Sequence, residues 1–179
     1  MLPVFVLVAL LALLVAARPG ALDPGRVERL LGARWAPAIA GALSAACVLV
    51  VWGSLEAAPL YHDEAAYLLQ AEIFAAGRWA MPSPPLPEFF EQMYVLVTPV
   101  LASKYPPGHS LLMAPGALVG LPGLVPVLLT GAAGALLFAL ARRVANAPVA
   151  LLALVVWLAM PANLHFRASY LSETTTSAC

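Results

Sequence analysis

The chain has 179 residues, 63% of them hydrophobic and 10% charged, with a mean hydropathy of +0.91 and no net charge. Soluble domains run at about 45–50% apolar and about 25% charged, so a water-soluble fold is excluded. Low charge and two cysteines also exclude a disordered chain, a disulfide scaffold and a nucleic-acid-binding domain. An integral membrane protein remains, and the positions of its nine basic and nine acidic residues then carry the topology.

Spans need about 20 apolar residues, with a tolerated range of roughly 17–25. Residues 2–17, 36–55, 124–141 and 148–166 meet or approach that length without internal charge. Residues 108–121 form a shorter stretch, bounded by Pro106-Pro107 and Pro122-Gly123, and are expected to lie as a surface helix. Arg18, Arg26, Arg29 and Arg34 lie between the first two stretches, and Arg142 and Arg143 follow the third. Cytoplasmic loops retain positive charge, so these two connections face inward. Residues 56–107 carry Glu56, Asp63, Glu64, Glu72, Glu88 and Glu91 against Arg78 and Lys104, and that segment faces outward. If residues 108–121 crossed the membrane, Arg142 and Arg143 would fall on the wrong side. The expected fold is therefore all-α and polytopic, with about four transmembrane helices and interfacial helices in an outer loop over residues 56–123.

The first stretch alternatively reads as a cleaved signal peptide ending at Val15-Ala16-Ala17, but no basic residue precedes its apolar run. Retained, it makes residues 1–35 an added span and inner loop before a core unit of residues 36–179. Cys47 is expected to be a buried thiol in mid-span, and Cys179 is terminal. A new helix is expected to start at Glu173 and the chain stops soon after at Ser-Ala-Cys, as expected of a truncated reading frame.

The outer loop opens with Leu60-Tyr61-His62-Asp63-Glu64 and runs on to Gly77. Asp63 and Glu64 stand where a helix begins and Gly77 where one ends. Carboxylates there cap free N–H groups and meet the positive end of the helix dipole. Placed directly after a span, they also reach the height of a lipid headgroup. The run from Met81 to Pro87 cannot be helical and is expected to cross the surface as an extended linker. Lys104, before Pro106-Pro107, is either an interfacial anchor or a point charge for a phosphate held at the membrane surface.

Three motifs resemble the N-terminal part of the GT-C class of polyprenyl-phosphate-sugar glycosyltransferases, in the branch of protein O-mannosyltransferases and lipid A aminoarabinose transferases. The first is Asp63-Glu64-Ala65-Ala66-Tyr67 after a span, with a helix ending in Ala-Gly-Arg-Trp at residues 76–79. The second is Lys104-Tyr105-Pro106-Pro107-Gly108-His109. The third is a span that leads through Pro161 to Arg167-Ala168-Ser169-Tyr170-Leu171-Ser172-Glu173. The resemblance covers residues 36–179. It implies a multi-span enzyme of the bacterial plasma membrane with its site facing outward. The implied partners are a lipid-linked sugar donor, a protein, lipid or glycan acceptor, and membrane lipid.

By that resemblance Asp63, with Glu64 beside it, matches the catalytic acid of the first outer loop, Lys104 a contact to donor phosphate, and Glu173 the acid of the second outer loop. His62, Tyr67, His109 and Arg167 are second-tier candidates whose residue types serve structural or interfacial roles equally well. A divalent metal at Asp63 and Glu173 is conceivable for the family, but this chain has no D-x-D and no cofactor is otherwise implied. The chemistry suits these residue types. A desolvated carboxylate makes a general base, an ammonium stabilises a departing phosphate, and carboxylates stabilise an oxocarbenium-like transition state. A transporter subunit is a competing reading, although transporters bury ionisable groups near the middle of their spans and these stretches contain no Asp, Glu, Lys or Arg. A non-catalytic assembly factor is another, and it would tolerate loss of both Asp63 and Glu173.

Overall fold

The structure, a computed structural model, describes residues 23–177. The expected first span, residues 2–17, and Cys179 lie outside the described residues.

The fold is mostly helical, and the caps follow local chemistry. Helix α1 (Pro24–Gly32) is capped by the Asp23 carboxylate, which accepts from the Arg26 amide at 3.2 Å. Helix α2 (Ala36–Trp52) ends at Gly53, whose φ of +77° lets its N–H turn back to the Leu49 carbonyl at 2.8 Å. In the acidic segment α3 (His62–Ala75) closes at Gly77 through bonds from Gly77 to Phe74 and from Arg78 to Ile73, a Schellman motif. Helix α4 (Pro107–Leu118) closes in the same way at Gly120. Then come α5 (Leu124–Val144), α6 (Ala147–Ala159), α7 (Pro161–Arg167) and α8 (Glu173–Thr176).

Two expectations need correction. The fourth apolar stretch is not one helix. A proline pushes the residue before it out of the helical region, and Met160, at φ −71° and ψ 113°, separates α6 from α7 ahead of Pro161. The second is a matter of detail: the fold is helical at the coarse level, as expected, but it also carries a small sheet. β1 (Met81–Pro82), β2 (Val95–Leu96) and β3 (Val100–Ser103) form an antiparallel sheet in the order β1-β3-β2, pairing Met81 with Leu101 and Val95 with Ser103. The proline run cannot wind into a helix, and the valines of β2 and β3 suit a pleated surface. A 3₁₀ turn at Pro87–Phe89 completes the connection that was expected to be a plain linker.

Helices α2, α5 and α6 form a bundle whose inner seam is made of small residues. A Cβ added to Gly41 would meet the Gly131 carbonyl oxygen at 2.7 Å, and one added to Gly134 would run into Ser44. The backbones of α2 and α5 therefore approach closely, as in helix pairs that lack a hydrophobic driving force. Ser44 and Thr130, both fully buried, return their hydroxyls to the carbonyls of Ala40 and Pro126 four residues back. Large side chains turn outward: Ile39, Leu43 and Val50 on α2, Leu128, Leu136 and Leu140 on α5, and Leu152 and Val156 on α6 are all exposed. Among the described residues α5, with 21 residues, is the helix long and apolar enough to cross a bilayer by itself. Helices α1 and α2 qualify only as a pair bent by 82°, and α6 is apolar but has 13 residues.

The two ends of the bundle differ. At one end Gly123 N–H donates to the Leu55 carbonyl at 2.8 Å, joining the end of α2 to the start of α5 beneath the acidic segment. At the other, Arg142 Nη1 donates to the carbonyls of Leu31 and Ala33 at 3.0 and 2.8 Å, joining α5 to the end of α1. The charge segregation expected from the sequence is thus a property of the folded chain. Helices α3, α4, α7 and α8 and the sheet gather at the acidic end.

Candidate active site

Residues from four parts of the chain wall a cleft of about 370 Å³ at the acidic end. Tyr61, His62 and Asp63 come from the start of α3, Met93 and Tyr94 from the loop before β2, Phe166 from α7, and Leu171 and Glu173 from the segment running into α8. Asp63, the first-loop acid, and Glu173, the second-loop acid, therefore line one space. Asp63 is half-buried in the first turn of α3, where the helix dipole favours its charge, and Glu173 is exposed in the first turn of α8.

A tyrosine cluster supports Asp63. The Tyr105 phenol donates a hydrogen bond to the Asp63 carboxylate and is pushed up to about 12, first by burial, then by the Asp63 charge. Its ring stacks on Tyr67 with centroids 4.5 Å apart, and Tyr94 packs beside it at 5.2 Å. Tyr67, buried, donates its hydroxyl to Ser172 at 3.2 Å. One continuous set of contacts thus runs from the residue before Glu173, through Tyr67 and Tyr105, to Asp63.

Glu64 must be separated from Asp63. It is 3% exposed, and its oxygens accept the backbone N–H groups of Leu60 at 2.6 Å, Tyr61 at 3.1 Å and Tyr170 at 3.0 Å. A carboxylate this buried, with three backbone N–H groups already on it, is poorly placed to meet a substrate hydroxyl. Its role is to fasten the start of α3 to the segment after α7.

Lys104, expected as an anchor or a phosphate contact, lies outside the Asp63 cleft. Its Nζ donates to the Met93 carbonyl at 3.1 Å, and its backbone N–H donates to Tyr94 at 2.9 Å. It lines a neighbouring cleft of about 620 Å³ with Glu91, Gln92, Met93 and Thr98, so Met93 is the wall the two clefts share. Among the second-tier residues, His62 lines the Asp63 cleft. His109 is buried and bonded on both ring nitrogens. Nε2 donates to the Tyr170 carbonyl at 2.8 Å, and Nδ1 pairs with the Thr175 hydroxyl at 2.7 Å. Burial lowers its pKa below the ordinary histidine value, against smaller opposing effects of the Tyr170 carbonyl and Glu173. Arg167 is buried with its guanidinium 4.0 Å over the Trp157 ring and Nη1 on Ser177, which makes it a packing element.

Among the described residues no group of three or more His, Cys, Asp or Glu is arranged to hold a metal ion. Asp63 and Glu173 supply two carboxylates to the cleft, fewer than a protein-built cation cage uses. A charge-centred reading of the sequence passes over Tyr105, although it stands next to Lys104 in the K-Y-P-P-G-H motif. No protein-family model, curated protein or solved structure matches the chain.

Proposed function

We propose that the chain is an integral membrane glycosyltransferase that moves a sugar from a polyprenyl-phosphate donor to an acceptor hydroxyl on the outer face of the membrane. Helices α2 and α5 and the α6–α7 pair serve as spans, with residues 2–17 as the fourth. The observation that supports the reading is the shared cleft, lined by one carboxylate from α3 and one from α8 at the end of the bundle away from Arg142.

The acceptor oxygen attacks the anomeric carbon and its proton passes to the Asp63 carboxylate. The bond from that carbon to the phosphate oxygen breaks, and the electron pair leaves with the polyprenyl phosphate. Glu173, across the cleft, stabilises the oxocarbenium character of the transition state or holds the acceptor. The donor lies astride Met93, its phosphate toward the Lys104 ammonium in the neighbouring cleft.

The test is release of free polyprenyl phosphate by the protein in proteoliposomes supplied with a panel of polyprenyl-phosphate-linked hexoses and pentoses and with extracted envelope acceptors. Asp63→Asn is expected to slow release by roughly 10²–10⁴-fold, the usual worth of a general base. Undiminished release by that variant would rule out the base assignment.

A further inference from the structure

The arginines at the opposite end of the bundle are more than a sidedness signal. Helix α1 turns 82° away from α2, so when α2 crosses a bilayer α1 lies along its surface. At 100° per residue, Arg26, Arg29 and Leu30 share an arc of about 100°, while Glu28 lies about 160° from Arg26. Leu31, on the other side of α1 from that arc, packs against the bundle core of Ala36, Ala40, Phe138, Ala150 and Leu154. That contact fixes the rotation of α1, leaving Arg26 and Arg29 exposed and Leu30 50% exposed. Arg34 and Trp35, both exposed, follow at the elbow, and Arg142 clamps the end of α1 while Arg143 beside it is exposed.

We propose that this elbow is a binding surface for anionic phospholipid headgroups. The exposed face carries arginines flanked by an apolar Leu30 and Trp35, a combination that inserts apolar side chains at the acyl boundary while guanidinium groups meet phosphates. Of the two nearby carboxylates, Glu28 is turned away and Asp23 is engaged by the Arg26 backbone N–H at the cap, which leaves the exposed Arg26, Arg29, Arg34 and Arg143 in excess, so charge complementarity favours an anionic over a zwitterionic surface. The inference rests on the membrane placement proposed above but not on the transfer reaction.

The experiment is lipid selectivity by electron paramagnetic resonance, with the whole chain reconstituted in phosphatidylcholine and doped with spin-labelled phosphatidylglycerol or spin-labelled phosphatidylcholine. The expected result is a roughly threefold preference for phosphatidylglycerol in the motionally restricted shell, screened by salt and indifferent to added inorganic phosphate at constant ionic strength. The triple variant Arg26→Gln, Arg29→Gln, Arg34→Gln is expected to bring the preference to about one, while the matching Arg→Lys triple keeps it. Equal association of the two lipids with the unaltered chain, or a preference that survives the Gln triple, would overturn the proposal. Competition by inorganic phosphate would assign the arginines to a free anion and overturn it as well. Failure to restrict either lipid would instead strike at the membrane placement on which it depends.

Discussion

Tyr67 and Tyr105 stack with ring centroids 4.5 Å apart and planes inclined by 20°, and this stack carries the phenol that bonds Asp63. Tyr67 also makes a T-shaped contact with the His109 ring, centroids 4.9 Å apart, and donates its hydroxyl to Ser172, which neighbours Glu173. The position of one cleft carboxylate is therefore tied, through aromatic contacts, to the helix that bears the other.

The bond between Tyr105 and Asp63 makes a reciprocal prediction. Burial, the Asp63 charge and the hydrogen bond all hold the Tyr105 phenol at about 12. Asp63→Asn removes the charge and leaves the burial, so the Tyr105 titration is expected to move down partway toward about 10, the ordinary value. Carbon-13 NMR of labelled tyrosine, with Tyr105→Phe identifying the signal among the five tyrosines, measures it. A Tyr105 midpoint unchanged in the Asn variant would sever the proposed link.

Glu64 predicts the opposite behaviour from its neighbour. Glu64→Ala strips acceptors from three N–H groups, and that of Tyr170, whose residue is 1% exposed, is left without water to replace them. The expected loss of stability is about 1–3 kcal/mol from that N–H alone, read as a lower unfolding midpoint in detergent. Asp63→Asn, in the same assay, is expected to change stability by about 0.5 kcal/mol or less. Equal destabilisation by the two substitutions would contradict the division of roles between the adjacent acids.

How far these roles are legible in the sequence depends on the range of the interaction that sets them. The limits of α3 rest on chemistry within a few residues, at Asp63, Glu64 and Gly77, and the sequence shows them directly. The same holds for α4, bracketed by prolines and Gly120. Glu64 looks like half of a catalytic pair because its decisive partner, Tyr170, stands 106 residues away. The strands β1 and β2, two residues each, are too short to leave any periodicity, so the all-α expectation misses them. Hydropathy counts residues 148–166 as one stretch because an apolar proline scores as continuation, whereas the backbone breaks there. Lys104 and Asp63 are both visible as charges, but only the β2–β3 pairing shows that they open onto different clefts.

His109 predicts a loss of stability in acid. Its folded pKa lies below the ordinary value of about 6.5, so on lowering the pH the unfolded chain takes up the proton first. The contribution is present above about 6.5 and is lost as pH falls through the lower folded value. The thermal midpoint is expected to fall between about pH 7.5 and pH 5, and His109→Gln is expected to lower the midpoint at neutral pH while flattening that decline. A decline equally steep in the variant would assign the acid sensitivity elsewhere.

Tyr105 and Tyr170 set the alkaline limit by the same reasoning with the opposite direction. Burial is the leading cause of both shifts, and each phenol titrates at about 12 in the folded protein. In the unfolded chain they ionise near about 10, so stability is whole below that pH and is lost between about 10 and 12. Tyr105→Phe and Tyr170→Phe are each expected to make the alkaline decline shallower, measured as thermal midpoint against pH. A profile unmoved by either substitution would count against the raised phenols.

The small-residue seam predicts which glycines matter. A methyl group at Gly41 meets the Gly131 carbonyl oxygen at 2.7 Å and the Ala135 Cβ at 3.1 Å, and the first of these is backbone of a facing helix that cannot swing aside. Gly41→Ala therefore has to separate α2 from α5 along their closest approach, losing contacts down the whole seam, and a cost of about 1–3 kcal/mol is expected. Gly108, at the start of α4, has nothing within 4 Å of an added Cβ and an ordinary backbone conformation, so Gly108→Ala is expected to be neutral or stabilising by up to about 1 kcal/mol. Denaturation in mixed detergent micelles, followed by circular dichroism, compares the two directly. If both variants unfold at the same point, α2 and α5 are not in the close contact on which the placement of the cleft at their acidic end depends.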